Sequence, residues 1–594
     1  MSKKGAKKGK PAPSRQQQQQ AAAARRRPSG AASRTGTPPD PAGWPAASGQ
    51  PPVTTAPEVR RDGPARHYLD VSAVRIQEWL ARTPDLKFRR GASVMLSAAT
   101  GRDAWPDERL PPGMHWNTEA GDLDGVVSVI ADQEIAEAEV AARLADAARE
   151  IGQVLRGSLP HCHIQAVTGT GDSYAAAYQA MEQRRRDGDF VLGAPPAPAE
   201  MVLAKPCDQC RDAPAERADI EIVGREKRED LCAECADRVR AAGGTKGGWE
   251  RRSPRPERRM KGALQAAGMD GALFPDDFSQ LAEAGRRAYD DAATQLALVY
   301  ADGNRVGAFL SEAAAHARLH GTPAKADIVP ALDNATLAAL ADAIIRCFAP
   351  GQRMPVLAHI AGGDDLMVSV PAGYAWPFAR SLLTAFGERI AAAAGWPAPV
   401  RTRLPSMSAG IVFHHLSAPF PDVVRLARDQ LAAAKACTQG TAPSVAFLDL
   451  IADGGSVPAS RRPLPLADLD QGATLLTRIA ALPQSHRQTL VALQRLSEET
   501  SAAAADGGRA ETPADALARR VVDLGYPPLW EAVSGAEAGA PDVREELRSN
   551  PAARSALRAV LDLARWWPPL EPAAQGATLS RGNGSDAIRQ EVRA

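Results

Sequence analysis

Apolar residues are spaced along residues 295–449 so that strands alternate with helices. The runs Gln295-Leu-Ala-Leu-Val-Tyr-Ala301 and Ser408-Ala-Gly-Ile-Val-Phe-His-His415 are short, continuous and rich in aliphatic and aromatic residues, as buried strands are. Apolar positions at helical spacing predict helices over 305–318, 335–348, 374–394 and 421–437. Val356, Leu357 and Ile360, then Leu366, Val368 and Val370, predict two strands closing on the tight turn Gly362-Gly-Asp-Asp365. A last strand falls near 444–449. This is the order of a ferredoxin-like βαββαβ sheet with one extra helix, in which the first and third strands are central neighbours.

The same reading extends to both sides. Residues 67–80 predict a strand leading into an amphipathic helix, and Gly91-Ala-Ser-Val-Met-Leu-Ser97 continues it. In 133–154, Ile135, Val140, Leu144, Ile151 and Val154 form one helical face. His161–Val167 predicts the next strand, and Thr168-Gly-Thr-Gly-Asp-Ser173 the turn that matches the acidic turn of the later sheet, with one acid and without the Lys of a phosphate loop. From 456 the chain turns Pro/Ala-rich and then helical, with Leu475, Leu476, Ile479, Leu482, Leu490, Leu493 and Leu496 on a stripe. Trp566 and Trp567 read as core or subunit interface. The expected class is α+β, with two ferredoxin-like domains, a metal-ribbon insertion and a C-terminal helical bundle. The boundaries are 1–64 for a basic tail, 65–200 and 261–455 for the two sheets, 201–260 for the insertion and its basic linker, and 456–594 for the helices.

With 594 residues, 44% of them hydrophobic and 24% charged, the chain has room for several cores. No run approaches the 18 or more apolar residues of a membrane span, and the N-terminus lacks a secretory apolar segment. A cytoplasmic location and no membrane partner are expected. Net charge is +1, yet the first 39 residues hold ten Lys/Arg and no acid, together with Gln16–Gln20 and many Pro. Such a tail does not bury enough apolar surface to fold, and it either holds nucleic acid weakly or is inert. Arg251, Arg252, Arg255, Arg258, Arg259 and Lys261 predict a solvated basic connector.

Four of the seven cysteines form two pairs, Cys207-Asp-Gln-Cys210 and Cys232-Ala-Glu-Cys235, separated by 21 residues. Each pair presents two thiolates, and the four complete a tetrahedral Zn²⁺ site with no open position, hence a structural one. His161 and His163 lack a third ligand in sequence and read as structural or exposed.

The acids carry the candidate chemistry. Neighbouring carboxylates repel, so a purely structural turn favours a single Asp or Asn with Gly, whereas a divalent cation relieves the repulsion. Asp302 ends the first strand of the later sheet, and Asp364 and Asp365 form the turn before the third. They can share metal ions, the arrangement that two-metal nucleotidyl transfer requires, and Gly362 and Gly363 let a nucleotide approach the backbone.

The Gly-Gly-Asp-Asp hairpin, Tyr300-Ala-Asp-Gly303 and the strand at Ser408 resemble the palm polymerase domain in the large subunit of type III CRISPR effector complexes and, more distantly, GGDEF-type diguanylate cyclases. Residues 74–97 resemble the opening of that family's first, degenerate palm, and the cysteine pairs sit where similar zinc ribbons occur. The resemblance implies cyclic oligoadenylate synthesis from ATP with Mg²⁺ or Mn²⁺ when target RNA is bound. It implies partner subunits of an RNA-guided complex together with guide and target RNA. Asp302, Asp364 and Asp365 are then catalytic, with Gly303, Gly362, Gly363 and Lys435 at the nucleotide. Lys435 reads equally as a Lys complementing the C-terminal dipole of its helix. The family's Asp-Gly-Asp is here Asp302-Gly303-Asn304, which replaces an acid by an amide. No His-Asp dipeptide occurs, so the nuclease domain of larger members is not expected. Rival readings are a non-catalytic scaffold and a stand-alone GTP-using cyclase, the latter weakened because Leu366 follows Asp365 where those enzymes have Glu-Phe.

Overall fold

Strand Gln295–Gly303 (β8) is apolar without a break because both of its faces are covered. Leu298 and Tyr300 join a cluster under the helix Phe420–Cys437, while Ala297, Val299 and Ala301 face a larger core shared with the helices Lys325–Cys347 and Ala375–Ala392. The computed structural model describes residues 65–120, 125–193, 204–223, 225–243, 255–269, 274–275, 277–284, 294–320, 325–348, 354–393, 396, 398–458, 461–501, 512–534 and 540–568. The predicted basic tail and Arg251 and Arg252 lie outside the described residues. All the described residues belong to one unit, Asp62–Ala594.

Six strands form the sheet around β8. Leu357–Gly362 (β9) and Asp365–Pro371 (β10) are the hairpin, and Met407–His415 (β11), Ser444–Asp449 (β12) and Leu464–Pro465 (β13) follow. The order is β13-β12-β11-β8-β10-β9. β8 therefore lies between β10 and β11, antiparallel to both, and β12 is added parallel to β11 after the crossover helix Phe420–Cys437.

Five strands make the other sheet: Arg66–Val74 (β1), Met114–Trp116 (β2), Val126–Ala131 (β3), His163–Gly171 (β4) and Val191–Gly193 (β5), in the order β2-β3-β1-β4-β5; Arg217–Ile220 (β6) and Glu229–Leu231 (β7) pair in the insertion between the sheets. The first four strands of the five repeat the arrangement around β8. The hairpin that corresponds to β9–β10 is thus β2–β3, which corrects the expectation of a turn at 168–173. Thr168–Gly171 is strand, paired with β1 as far as Arg66 opposite Gly171. Its glycines serve packing: a Cβ on Gly169 would lie 2.4 Å from the Ala177 carbonyl oxygen of the next helix. At the first rung of β1 with β3 stand Ser72 and Val126, where β8 and β10 have Asp302 and Asp365.

Residues 255–266, read from sequence as part of a solvated connector, are the helix Arg255–Ala266, whose Met260 and Leu264 are buried in the core. The stripe Ile328–Cys347 also departs from expectation. These 20 residues, mean hydropathy 1.5, are long and apolar enough to cross a membrane, yet half of the stretch is buried inside the protein. It packs along Ala375–Ala392, which accounts for its apolarity.

Helices from Leu466 to Ala564 complete the chain and share the large core. Trp566 stacks on Phe413 at 5.3 Å between ring centroids and donates from Nε1 to Asp449 Oδ2 at 2.7 Å. Both tryptophans are core residues.

Candidate functional site

The turn of β9–β10 is a two-residue loop, Gly363-Asp364, and Gly363 takes φ 65°, which a side chain at the first loop position would oppose. The antiparallel register sets Asp365 directly opposite Asp302, with Ser408 on the other side of Asp302. Gly303 donates its amide to the Asp364 carbonyl oxygen at 3.2 Å. A Cβ on Gly303 would lie 2.9 Å from Asp364 Oδ2, so glycine is what lets the turn fold over the end of β8. Asp302, Asp364 and Asp365 are brought together by strand register and turn geometry.

Burial, reinforced by the charge of Asp302, pushes the Asp364 carboxyl up to about 6. The same causes, with Asp364 added, push Asp365 up to about 8. Lys435, near the end of Phe420–Cys437, pairs its ammonium with Asp302 and donates to the Gly303 carbonyl oxygen at 2.9 Å. Three carboxylates crowded beside one ammonium form a site that a hard divalent cation suits. As a trio their oxygens do not fall within 4.8 Å of one another. The ligands of two ions about 3.5–4 Å apart are spread more widely than those of one.

Asn304, next in the chain to Gly303, is buried. Its Nδ2 donates to Ser406 Oγ at 2.8 Å, Ser408 Oγ at 2.9 Å and the Ala442 carbonyl oxygen at 3.3 Å. Its Oδ1 is buried without a partner. The donors of the amide thus brace the strand end through Ser406, Ser408 and Ala442.

Gly362 has a different neighbour from the one expected. A Cβ there would lie 2.5 Å from Arg259 Nη1, so a guanidinium occupies the space assigned to a nucleotide; at Gly363 the corresponding space is open. The sequence places Arg259 in a solvated connector and does not single out its partner Asp333. Met260 and Leu264 one turn apart, with Pro256 in the first turn, were the available signs of the helix that carries Arg259.

Among the described residues, Cys207, Cys210, Cys232 and Cys235 are the one metal-ligand group that converges, with all four Sγ atoms within 4.8 Å and all four residues buried. Cys232 caps the helix Ala233–Ala241 and its Sγ accepts from the Cys235 amide at 3.4 Å. Hydrogen bonds from the other three thiols pull Cys207 well below the usual thiol range. The set fits a closed tetrahedral Zn²⁺ site. Within the second knuckle, buried Glu234 accepts from Arg82 at 2.8 Å and from Arg238 at 2.6 Å, and pairs with His161. His161 therefore joins the knuckle to the first sheet, a structural role that sequence left without a partner.

Residues 295–441 match the family model described as Cas10/Cmr2, second palm domain. No curated protein matches the chain. Among solved structures, Csm1 of T. onnurineus is similar at 12% identity and TM-score 0.46, over 84% of this chain and 70% of that one. A Csm1–Csm4 cassette in complex with cA4 is similar at 12% identity and TM-score 0.45, over 85% and 70%. A type III-B Cmr-beta complex in the apo state is similar at 10% identity and TM-score 0.43, over 78% and 77%. The family match thus falls on the second sheet and its acidic turn, and identifies residues 295–441 as a Cas10/Cmr2 second palm domain.

Proposed function

We propose that this chain is the nucleotidyl transferase subunit of an RNA-guided defence complex and makes cyclic oligoadenylate from ATP when target RNA is bound. The observation that carries the reading is the pairing of Asp365 with Asp302 across β10 and β8, inside the matched palm. Asp302, Asp364 and Asp365 would hold two Mg²⁺ or Mn²⁺ ions. Bound there, the ions would lower the pKa of an attacking 3′-hydroxyl and neutralise charge on the departing pyrophosphate.

The chain's own residues then have separable roles. Register and the turn gather three carboxylates at the end of β8, and their partial burial weakens the screening of their charge by water. Lys435, released from Asp302, brings an ammonium to the phosphate oxygens as a point charge. Gly363 leaves the turn open on the side that Gly362 closes. Ser72 and Val126 give the first sheet no acids at the corresponding rung, so chemistry belongs to the second alone.

Partner subunits, guide RNA and target RNA follow from the same reading. A scaffold without catalysis is the second reading, and Asn304, a buried amide where the family carries an acid, is what favours it. Asp364→Ala with Asp365→Ala separates the two: loss of product with intact assembly supports the enzyme, and loss of assembly alone supports the scaffold.

A further inference from the structure

The acidic turn is held from outside by two side chains that neither the family resemblance nor the acids predict. Arg259 donates from Nη1 to the Ala361 carbonyl oxygen at 3.0 Å, and its Nη2 pairs with Asp333 of the helix Lys325–Cys347. Asp333 Oδ1 in turn accepts from the Gly363 amide at 2.7 Å. Guanidinium and carboxylate therefore bind the backbone on both sides of Gly362, and the absent side chain of Gly362 is what admits the guanidinium.

The same short helix reaches the first sheet. Two residues before Arg259, Glu257 is buried and receives a two-pronged contact from Arg90, Nε to Oε1 at 2.5 Å and Nη2 to Oε2 at 2.5 Å. Arg90 belongs to the helix Leu86–Thr100, which follows β1 in the first sheet. One face of Arg255–Ala266 is buried through Met260 and Leu264, so Glu257 and Arg259 are carried on a packed element.

Carboxylates that repel one another keep their directions only if the backbone beneath them is fixed. We propose that Arg259 and Asp333 are positioning residues for the acidic turn, and that the helix Arg255–Ala266 couples the turn to the first palm through Glu257 and Arg90. This rests on the reading of Asp302, Asp364 and Asp365 as a metal site. Both contacts end on backbone of the turn, not on its acids. Loss of either frees the direction of Asp364 and Asp365 without changing the ligand set. Movement of the first palm reaches the same turn through Arg90.

Mn²⁺ binding by electron paramagnetic resonance and amide exchange of the peptide covering 355–370 test this in the full chain. The proteins compared are wild type, Arg259→Ala, Arg259→Lys, Asp333→Asn, Arg90→Ala and the Asp364→Ala, Asp365→Ala pair. Arg259→Ala and Asp333→Asn are expected to weaken Mn²⁺ binding by about tenfold or more, the usual effect of losing an outer contact to a metal site. They are also expected to speed exchange at the Gly363 amide. Arg259→Lys recovers part of both, and Arg90→Ala speeds the exchange from a distance. Mn²⁺ affinity within about twofold of wild type in Arg259→Ala and Asp333→Asn overturns the proposal, including when only the melting temperature falls. Wild-type binding no tighter than that of the Asp364→Ala, Asp365→Ala pair overturns the metal reading and this proposal together.

Discussion

Lys435 and Asp302 hold each other at the end of β8, the ammonium bridging the Asp302 carboxylate and the Gly303 carbonyl oxygen. A cation that takes Asp302 must displace that ammonium. The pair is part-exposed and worth no more than about 1 kcal/mol, roughly fivefold in an equilibrium. Lys435→Ala is therefore expected to tighten Mn²⁺ binding by up to about fivefold while lowering nucleotide turnover. Mn²⁺ titration beside steady-state kinetics checks both. Tighter metal with unchanged turnover would remove Lys435 from the nucleotide.

Asn304→Asp restores the acid of the family pattern and is expected to harm the protein. The amide's donors meet two serine hydroxyls and the Ala442 carbonyl oxygen in a buried place, and a carboxylate would face that carbonyl with no hydrogen to offer. A loss of about 1–3 kcal/mol is expected, with no gain in product. Denaturant unfolding measures the first and product analysis the second. A more active variant of undiminished stability would show that residue 304 faces the metal.

Burial pushes the His414 imidazole down to about 4, and buried His359 lies well below its ordinary range from burial and the nearby Arg89 guanidinium. A histidine whose folded pKa is depressed contributes stability above its unfolded value, roughly 6.5, that is lost as pH falls through the folded one. The histidine contribution is thus expected to fall between about pH 6.5 and 4, against the opposite contribution of the raised Asp364 and Asp365 carboxyls. His414→Asn is then expected to lose less stability on acidification than wild type does. Urea midpoints taken across this range give the slope directly, and equal slopes in the two proteins would refute the assignment.

Trp566→Phe keeps the stack on Phe413 but leaves Asp449 Oδ2 without its indole donor. Asp449 is buried but Arg565 Nε stays 3.1 Å from the same oxygen, so a loss of about 0.5–1.5 kcal/mol is expected and is readable as a lower melting temperature. The bundle that carries Trp566 should loosen first in hydrogen exchange.

One zinc per chain is expected by elemental analysis. Its removal should release Glu234 from Arg82, Arg238 and His161, and so loosen the first sheet ahead of the second. Retention of the metal in Cys232→Ser, Cys235→Ser would contradict the four-thiolate site.

The second sheet was legible because its strands are short and apolar, its helices periodic and its turn marked by paired glycines and acids. The cysteine pairs were legible through spacing alone. Both are local signals. The hairpin of the first sheet was misplaced at 168–173 because the true one, β2–β3, has a three-residue first strand and no apolar alternation to announce it. The Arg259–Asp333 contact joins residues 74 apart in the chain, and the reach of Glu234 to His161 and Arg82 is of the same kind. Such contacts depend on how packed elements face one another, which periodicity within one element does not encode.

The assembled complex, incubated with labelled ATP, Mg²⁺ and target RNA and read by mass spectrometry, tests the central claim most directly. Cyclic oligoadenylate from wild type, and none from the assembled Asp364→Ala, Asp365→Ala complex, is the predicted result. Product from that variant, or none from the RNA-bound wild type, would contradict it.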